Sequence, residues 1–147
     1  MTALPLPEGD WIRGISIKQP WTTAILTGAK TIENRPQHWP WRTWVLLHAS
    51  QQTDKPALRL PLIARTIRGR QLVTGAVVGI ARITGCHQEP EGSPLCSPWA
   101  HPGAWHLELA DVQELPLPVP ARGQLGPWKP TQHLLGLVFQ QLPGFQA

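Results

Sequence analysis

Three ionisable side chains lie close together in the sequence GAKTIENR, at positions 28–35. Lysine offers a point charge and arginine a planar fork for phosphate or carboxylate, while a carboxylate can serve as a general base. In a fully extended strand, Glu33 and Arg35 share one face and Lys30 points to the other. The three therefore converge only if the chain turns near Lys30 or Thr31. The alternative is a solvated strand edge with a surface pair between Glu33 and Arg35.

A second pair, His48 and Ser50, lies at the end of the apolar segment 43–49. Residues two apart on a strand point the same way, so a hydroxyl–imidazole pair is one interpretation. A serine hydrolase would also need an orienting carboxylate and a G-x-S-x-G elbow, and the sequence contains no such elbow. The alternative role for Ser50 is to cap the helix that follows.

Aromatic and amide side chains supply further candidates, here for contacts with bases. Trp44 sits in an apolar segment and is expected in the core, whereas Trp39 and Trp41 are flanked by prolines and are candidates for exposed stacking rings. In the sequence GQLGPWK at 123–129, Gln124 could read a base edge and Trp128 could stack. The alternative is that Trp128 fills the interior and the glycines make a turn.

The cysteines and their neighbouring histidines are candidate metal ligands. Cys86, His87, Cys96 and His101 fall within 16 residues. The pattern C-H-x8-C-x4-H matches no common zinc spacing. The sequence therefore predicts no metal site and no cofactor.

The elements that must position these residues are predicted to be short, because 17 prolines and 13 glycines interrupt the chain. Alternation or apolar runs predict strands at 14–18, 43–49, 75–85 and 105–109, and helical spacing predicts helices at 21–27, within 54–70 and after the N-cap Thr131. Segment 43–49 is apolar on both faces, so it should be buried on both sides. In 105–109, Trp105 and Leu107 are expected to point inward and His106 outward. This order predicts an α+β domain, a small barrel with helices attached.

Length and composition restrict the class of protein. A chain of 147 residues with 41% hydrophobic and 15% charged residues favours one folded domain over disorder. We expect a Pro-rich lead-in at 1–13 and a single domain at 14–147, favoured as a monomer. The net charge of +4 and the pI of about 9.7 favour anionic partners. Without a long apolar run or a visible secretory signal, no membrane association and a cytoplasmic location are expected.

Several segments together resemble one family. ISIKQPW at 15–21, GAKTIENR at 28–35 and VLLHAS at 45–50 are similar to the start of an ASCH (activating signal cointegrator homology) domain. The family signature G-x-K-x-x-E-x-R is matched at all four positions, by Gly28, Lys30, Glu33 and Arg35. GAVVGIARITGC at 75–86 and RGQLGPWKP at 122–130 extend the resemblance over roughly residues 14–132.

The resemblance implies a small PUA-like β-barrel with flanking helices, whose signature residues line a cleft beside the first helix. PUA-like domains typically bind RNA or, in some branches, modified DNA. Some small ASCH members are hydrolases, which remove the acetyl group of N4-acetylcytidine or cleave RNA. The amidohydrolase branch has a similar G-x-K-T-I-T-I-R stretch. Lys30 matches its lysine, but Glu33 stands where that branch has a second threonine.

These observations predict a nucleic-acid-binding module for single-stranded or modified RNA or DNA; the alternative is a small hydrolase, with Lys30 and Glu33 as its catalytic residues. A protein-interaction role ranks last. The predicted nucleic-acid contacts come from the signature, the tryptophans, the polar residues beside them and the basic end of the second helix. They are Lys18, Gln19, Trp21, Lys30, Glu33, Arg35, Trp39, Ser50, Arg65, Arg68, Gln124 and Trp128.

Overall fold

The helices are short, as the proline density predicts, but the expectation of short strands is wrong, since β-strands of 11, 12 and 16 residues form. The computed structural model describes residues 6–147, which form an α+β fold. The strands are β1 (Ile12–Gln19), β2 (Ile32–Arg35), β3 (Thr43–Thr53), β4 (Ala76–His87) and β5 (Trp105–Pro120). The helices are α1 (Trp21–Leu26), α2 (Pro61–Thr66) and α3 (Gln132–Phe139), with a 3-10 turn at Pro56–Arg59. Among the described residues, no helix has both the length and the apolar character to cross a bilayer.

The five strands form one mixed sheet in the order β1-β3-β4-β5-β2. β1 runs parallel to β3, with Gly14 opposite Leu46, and the other neighbours are antiparallel. The expected barrel is wrong, because within residues 6–147 the edge strands β1 and β2 share no ladder. β2 has four residues and stops before Pro36, whose nitrogen has no hydrogen to donate. Instead, Arg35 Nη2 donates to the Ser16 carbonyl oxygen at 3.0 Å, so a side chain bridges the two edges.

The core lies on both faces of the sheet, as the apolar run in β3 predicts. Trp44 and Leu46 belong to the cluster that α3 covers, and Val45 and Leu47 belong to the opposite cluster, which Ile25 of α1 joins. The helix α3 begins as predicted, because the Thr131 side chain accepts a hydrogen bond from the backbone N–H of Leu134 at 3.1 Å.

The chain before β1 is part of this packing. Trp11 packs against Phe139 and Phe145, with ring centroids 5.6 and 5.9 Å away. β1 begins at Ile12, inside the predicted lead-in 1–13. Residues 1–5 of that lead-in lie outside the described residues.

Two expectations about local structure are corrected. The predicted helix within 54–70 divides into the 3-10 turn and α2, because Pro56 and Pro61 each begin a new element. In β5, His106 is buried, with 1% of its surface exposed, and Trp105 is half-buried. The connection 88–104 folds over the face that alternation assigned to solvent, and His106 bonds to it.

Candidate functional site

The turn that would bring the signature side chains together is present. Helix α1 ends at Leu26, and Gly28 adopts a φ of +86°, a conformation that glycine tolerates without strain. The backbone N–H of Lys30 then donates to the Ala24 carbonyl oxygen at 3.2 Å. This geometry sends the lysine side chain inward, toward the side chains of β2.

A single carboxylate stands between two cations at the bottom of this region. Lys30 Nζ lies 3.7 Å from Glu33 Oε1, and Arg35 Nη2 lies 3.5 Å from Glu33 Oε2. Lys30 is only 1% exposed and donates to the Ile32 carbonyl oxygen at 2.5 Å. The trio carries a net positive charge in a place where water reaches poorly, which strengthens its attraction for an anion.

Burial changes the acidity of Lys30. Desolvation lowers the pKa of its ammonium group, and the neighbouring Glu33 carboxylate opposes that shift. The ammonium also faces the rings of Trp21 and Trp99, at 5.2 and 5.8 Å from their centroids. Such cation–π contacts offset part of the cost of burying the charge.

These residues form the floor of an open cleft of about 1150 Å³. It opens between the edge strands β1 and β2 and is closed on the far side by the segment 121–125. Lys18 and Arg122 are exposed and join Lys30 and Arg35 in its lining, against the one carboxylate of Glu33. The volume exceeds the roughly 300–1,000 Å³ of an ordinary small-molecule site, so the cleft can take more than one small group.

An aromatic surface lies beside the cations. The half-buried Trp21 lines the cleft and is held by a hydrogen bond from its Nε1 to Asp54 Oδ2 at 3.0 Å. The His101 ring meets it edge-on, with centroids 5.9 Å apart. Asn34 fixes this wall, because its amide accepts from the His101 N–H and donates to the Trp99 carbonyl oxygen, both at 2.8 Å.

The opposite wall is built on His48 and Gly123. His48 Nε2 donates to the Ala121 carbonyl oxygen at 2.7 Å, and burial lowers the pKa of the ring. The other nitrogen, Nδ1, is buried and has no hydrogen-bond partner among the described residues. A Cβ at Gly123 would lie 2.5 Å from Ser16 Oγ and 2.6 Å from His48 Cε1, so this wall requires glycine.

The sequence-based contacts fall into two groups. Those that line the cleft are Lys18, Trp21, Lys30, Glu33, Arg35, Ser50 and Gln124. Those that lie outside it are Gln19, Trp39, Arg65, Arg68 and Trp128.

The residues outside the cleft are there for structural reasons. Trp39 is 7% exposed and Trp128 is 5% exposed, so the expected stacking rings at these positions are corrected to core side chains. Trp128 packs directly over Gly14, which leaves no room for a Cβ there. The amide of Gln19 is also buried, between the Val73 carbonyl oxygen and the Thr23 N–H. Arg65, on α2, is exposed away from the cleft.

Exposed Arg68 lies just beyond α2 and also outside the cleft. Ser50 belongs to β3 and caps no helix; its hydroxyl donates to the Gln52 carbonyl oxygen at 3.4 Å. In residues 6–147 it makes no hydrogen bond to His48, so the structure contains no Ser–His pair there.

Sequence reasoning missed Arg122, Asn34 and His101 as lining residues. Arg122 precedes Gly123 in the segment already singled out, and its charge was the available signal. Asn34 lies within the signature itself. The sequence offers His101 only as a candidate metal ligand, and its place in the wall depends on how the connection 88–104 folds.

The comparisons with known proteins return structures alone. No family model and no curated protein matches the sequence. Among solved structures, the crystal structure of ASCH from Zymomonas mobilis is similar at 16% identity and a TM-score of 0.47, covering 92% of this chain and 82% of that one. A mutant form of that protein gives the same identity and TM-score, over 93% of this chain and 85% of that one. Both are described as ASCH.

Proposed function

We propose that this chain is an ASCH domain whose cleft binds single-stranded RNA, with one base held against Trp21 and the flanking phosphates held by the lining cations. The observation that carries the proposal is the charge of the cleft, with four cationic side chains against one carboxylate. Phosphate contacts of this kind supply most of the affinity for nucleic acid.

The positions of the cations suit two different roles. Lys18 and Arg122 are exposed, so they can follow a mobile phosphate backbone. Arg35 is held by the Ser16 carbonyl oxygen and by Glu33, so its guanidinium is already oriented before an anion arrives. Such preorganisation reduces the entropy that binding costs.

The polar groups near Trp21 suit the recognition of a base, including a modified one. Gln124 is exposed on the wall opposite the indole and carries both a donor and an acceptor. Bases of single-stranded RNA are commonly stacked on an aromatic ring and hydrogen-bonded along their edges. Stacking contributes about 1–3 kcal/mol for each base.

The test is a fluorescence anisotropy titration of a short labelled RNA at several salt concentrations. Each phosphate that a cation neutralises should contribute about 0.7 to the slope of log affinity against log salt. Lys18→Gln and Arg122→Gln should each weaken binding and reduce the slope by about that amount. The matched controls are Arg65→Gln and Arg68→Gln, which remove exposed charges outside the cleft and should leave the slope unchanged. Equal effects of both sets, or no binding at about 50 mM salt, would refute the proposal.

Hydrolysis of RNA or of an acylated nucleoside is the second candidate, and the state of Lys30 favours it. A buried lysine with a lowered pKa can act as a base or nucleophile, and Glu33 at 3.7 Å is placed to exchange a proton with it. This candidate predicts that wild type converts N4-acetylcytidine or cleaves a short RNA.

Chromatography of the products decides between the candidates. Glu33→Gln, assayed where circular dichroism shows that it is folded, should abolish turnover while RNA binding remains measurable. Proton transfer alone contributes about 10²–10⁴ in rate, well above assay scatter. Lack of product from wild type with acylated nucleosides and RNA would exclude this candidate and leave the binding proposal intact.

A further inference from the structure

A second cluster of chemically active side chains lies apart from the signature, where the connection 88–104 leaves β4 and returns to β5. His87, Glu89, Cys96 and His106 each direct one potential ligand atom to a common point, and these atoms all lie within 4.8 Å of one another. Spacing alone did not find this set. It groups Cys86, which is partly buried against the core, with His101, which lines the cleft.

We propose that these four side chains bind one zinc ion, which fastens the connection 88–104 to the sheet. The set supplies two imidazole nitrogens, a carboxylate oxygen and a thiolate sulfur, all of which are ordinary zinc ligands. Four protein ligands complete a tetrahedral shell, and they leave no open position for substrate. The site is therefore structural in kind.

The distances are close to those that a tetrahedral ion would impose. Glu89 Oε2 lies 2.6 Å from His87 Nε2 and 3.1 Å from His106 Nδ1, and Cys96 Sγ lies 3.9 Å from the same Nδ1. Zinc bonds of 2.0–2.3 Å place neighbouring ligand atoms about 3.3–3.8 Å apart. Moving the four atoms by less than about 1 Å would admit the ion.

The groups behind the ligands already orient them. His106 Nε2 donates to the His101 carbonyl oxygen at 2.9 Å, which leaves Nδ1 to face the cluster with its lone pair. His87 Nδ1 faces Glu108 Oε2 at 3.2 Å, so its Nε2 faces inward. A partner on the far nitrogen of each ligand histidine is typical of zinc sites.

The surroundings of Glu89 and His106 also favour a bound cation. Glu89 Oε1 accepts a hydrogen bond from the Cys96 N–H at 2.8 Å, so Oε2 remains for the ion. His106 is 1% exposed, and its inward nitrogen meets only a carboxylate and a thiol. A buried imidazole among such partners is favourable when a cation completes the cluster.

The ion would also affect the cleft. The connection 88–104 exceeds about 15 residues without regular structure, a length that is uncommon in a compact domain unless something orders it. It carries Trp99, which faces Lys30, and His101, which lines the cleft wall. Because the His101 carbonyl oxygen accepts directly from the ligand His106, fixing the ligand fixes the wall.

Metal analysis of the untagged protein tests the proposal. Purified wild type should contain one zinc ion per chain by mass spectrometry. After removal of the metal, cobalt should give a sulfur-to-cobalt charge-transfer band and the visible absorption of a tetrahedral ion. Cys96→Ser should lose the charge-transfer band and at least about a hundredfold in zinc affinity, beyond the 10–100-fold that outer partners contribute. Cys96 is exposed, so this variant should fold.

Two variants outside the cluster serve as controls. Cys86→Ser removes the other thiol, and His133→Ala removes an exposed histidine of α3. Both should keep one zinc ion and the cobalt spectrum. A wild type that holds zinc no more tightly than Cys96→Ser, or a cobalt–sulfur band that disappears with Cys86 instead, would overturn the proposal.

Discussion

Replacing Glu33 with glutamine tests whether the charges at the floor of the cleft stabilise the fold. At 3.7 Å and an effective dielectric constant of about 20, the attraction between the Lys30 ammonium and this carboxylate is about 4 kcal/mol. Lys30 is almost fully buried, so water cannot replace the lost partner. Glutamine keeps the size of the side chain and removes only the charge. We expect the free energy of unfolding to fall by about 3–5 kcal/mol at pH 7.

The loss should depend on pH, because Lys30 can escape the penalty by releasing its proton. Burial already lowers the pKa of Lys30, and the variant removes the carboxylate that opposes this shift. The unfolded chain then binds the proton more readily than the folded one, so stability rises with pH up to the ordinary lysine pKa near 10.5. The difference in stability between variant and wild type should therefore shrink as the pH rises toward 10.5.

Urea unfolding followed by circular dichroism measures both effects. The matched control is Glu114→Gln, which breaks the pair with Arg70 at 2.6 Å, where both side chains are about a third exposed or more. That surface pair should contribute less than about 1 kcal/mol. Adding Lys30→Met to Glu33→Gln should recover much of the loss, since no charge is then buried without its partner. Equal losses in the two glutamate variants, or a loss at Glu33 that does not change with pH, would refute the reasoning.

Gly123→Ala should lower RNA affinity at least about tenfold by anisotropy, because its methyl group would meet β1 at 2.5 Å; Gly136→Ala, with no neighbour within 4 Å, should not. Equal affinities would contradict the close packing of that wall. Trp44→Ala should lower the free energy of unfolding by about 3–5 kcal/mol, because Trp44 is buried, and Trp105→Ala should lower it by less, because Trp105 is half-buried. A larger loss for Trp105→Ala than for Trp44→Ala in urea unfolding would contradict this. Affinity for an RNA of A and C should fall as the pH rises toward 10.5, because burial makes Lys30 lose its proton below that ordinary lysine pKa. A Lys30→Met variant with the same profile would argue against this.

Local patterns were sufficient to predict most of the secondary structure. The alternating and doubly apolar segments form β1, β3 and β4, because the burial of one or both faces of a strand determines which of its positions are apolar. The N-cap of α3 and the glycine after α1 were also recognisable, since each satisfies a local backbone requirement. Sheet closure was not recognisable in this way. It depends on how the two edge strands approach each other, and no short pattern encodes that distance.

The site was predictable where its residues are neighbours in the chain. Spacing brought Lys30, Glu33 and Arg35 together as candidates, and the turn after α1 makes them adjacent in space. The prolines near Trp39 predicted an exposed ring, and this was wrong, because the ring packs into the core beneath the Arg35 side chain. His106 was assigned to solvent for a similar reason, since alternation along a strand carries no information about a distant loop that covers it.

The side-chain bridge between the two edges of the sheet has a consequence for how the protein folds. Arg35 and Ser16 are near each other in sequence, but β1 and β2 are separated in the sheet by β3, β4 and β5. Among the described residues, β2 pairs with β5 alone, and Glu33 stands opposite Leu107. The cleft therefore cannot exist before the last strand has joined, and this step closes a long loop, which is typical of slow folding. Any ligand that the cleft bound would therefore stabilise only the completed sheet.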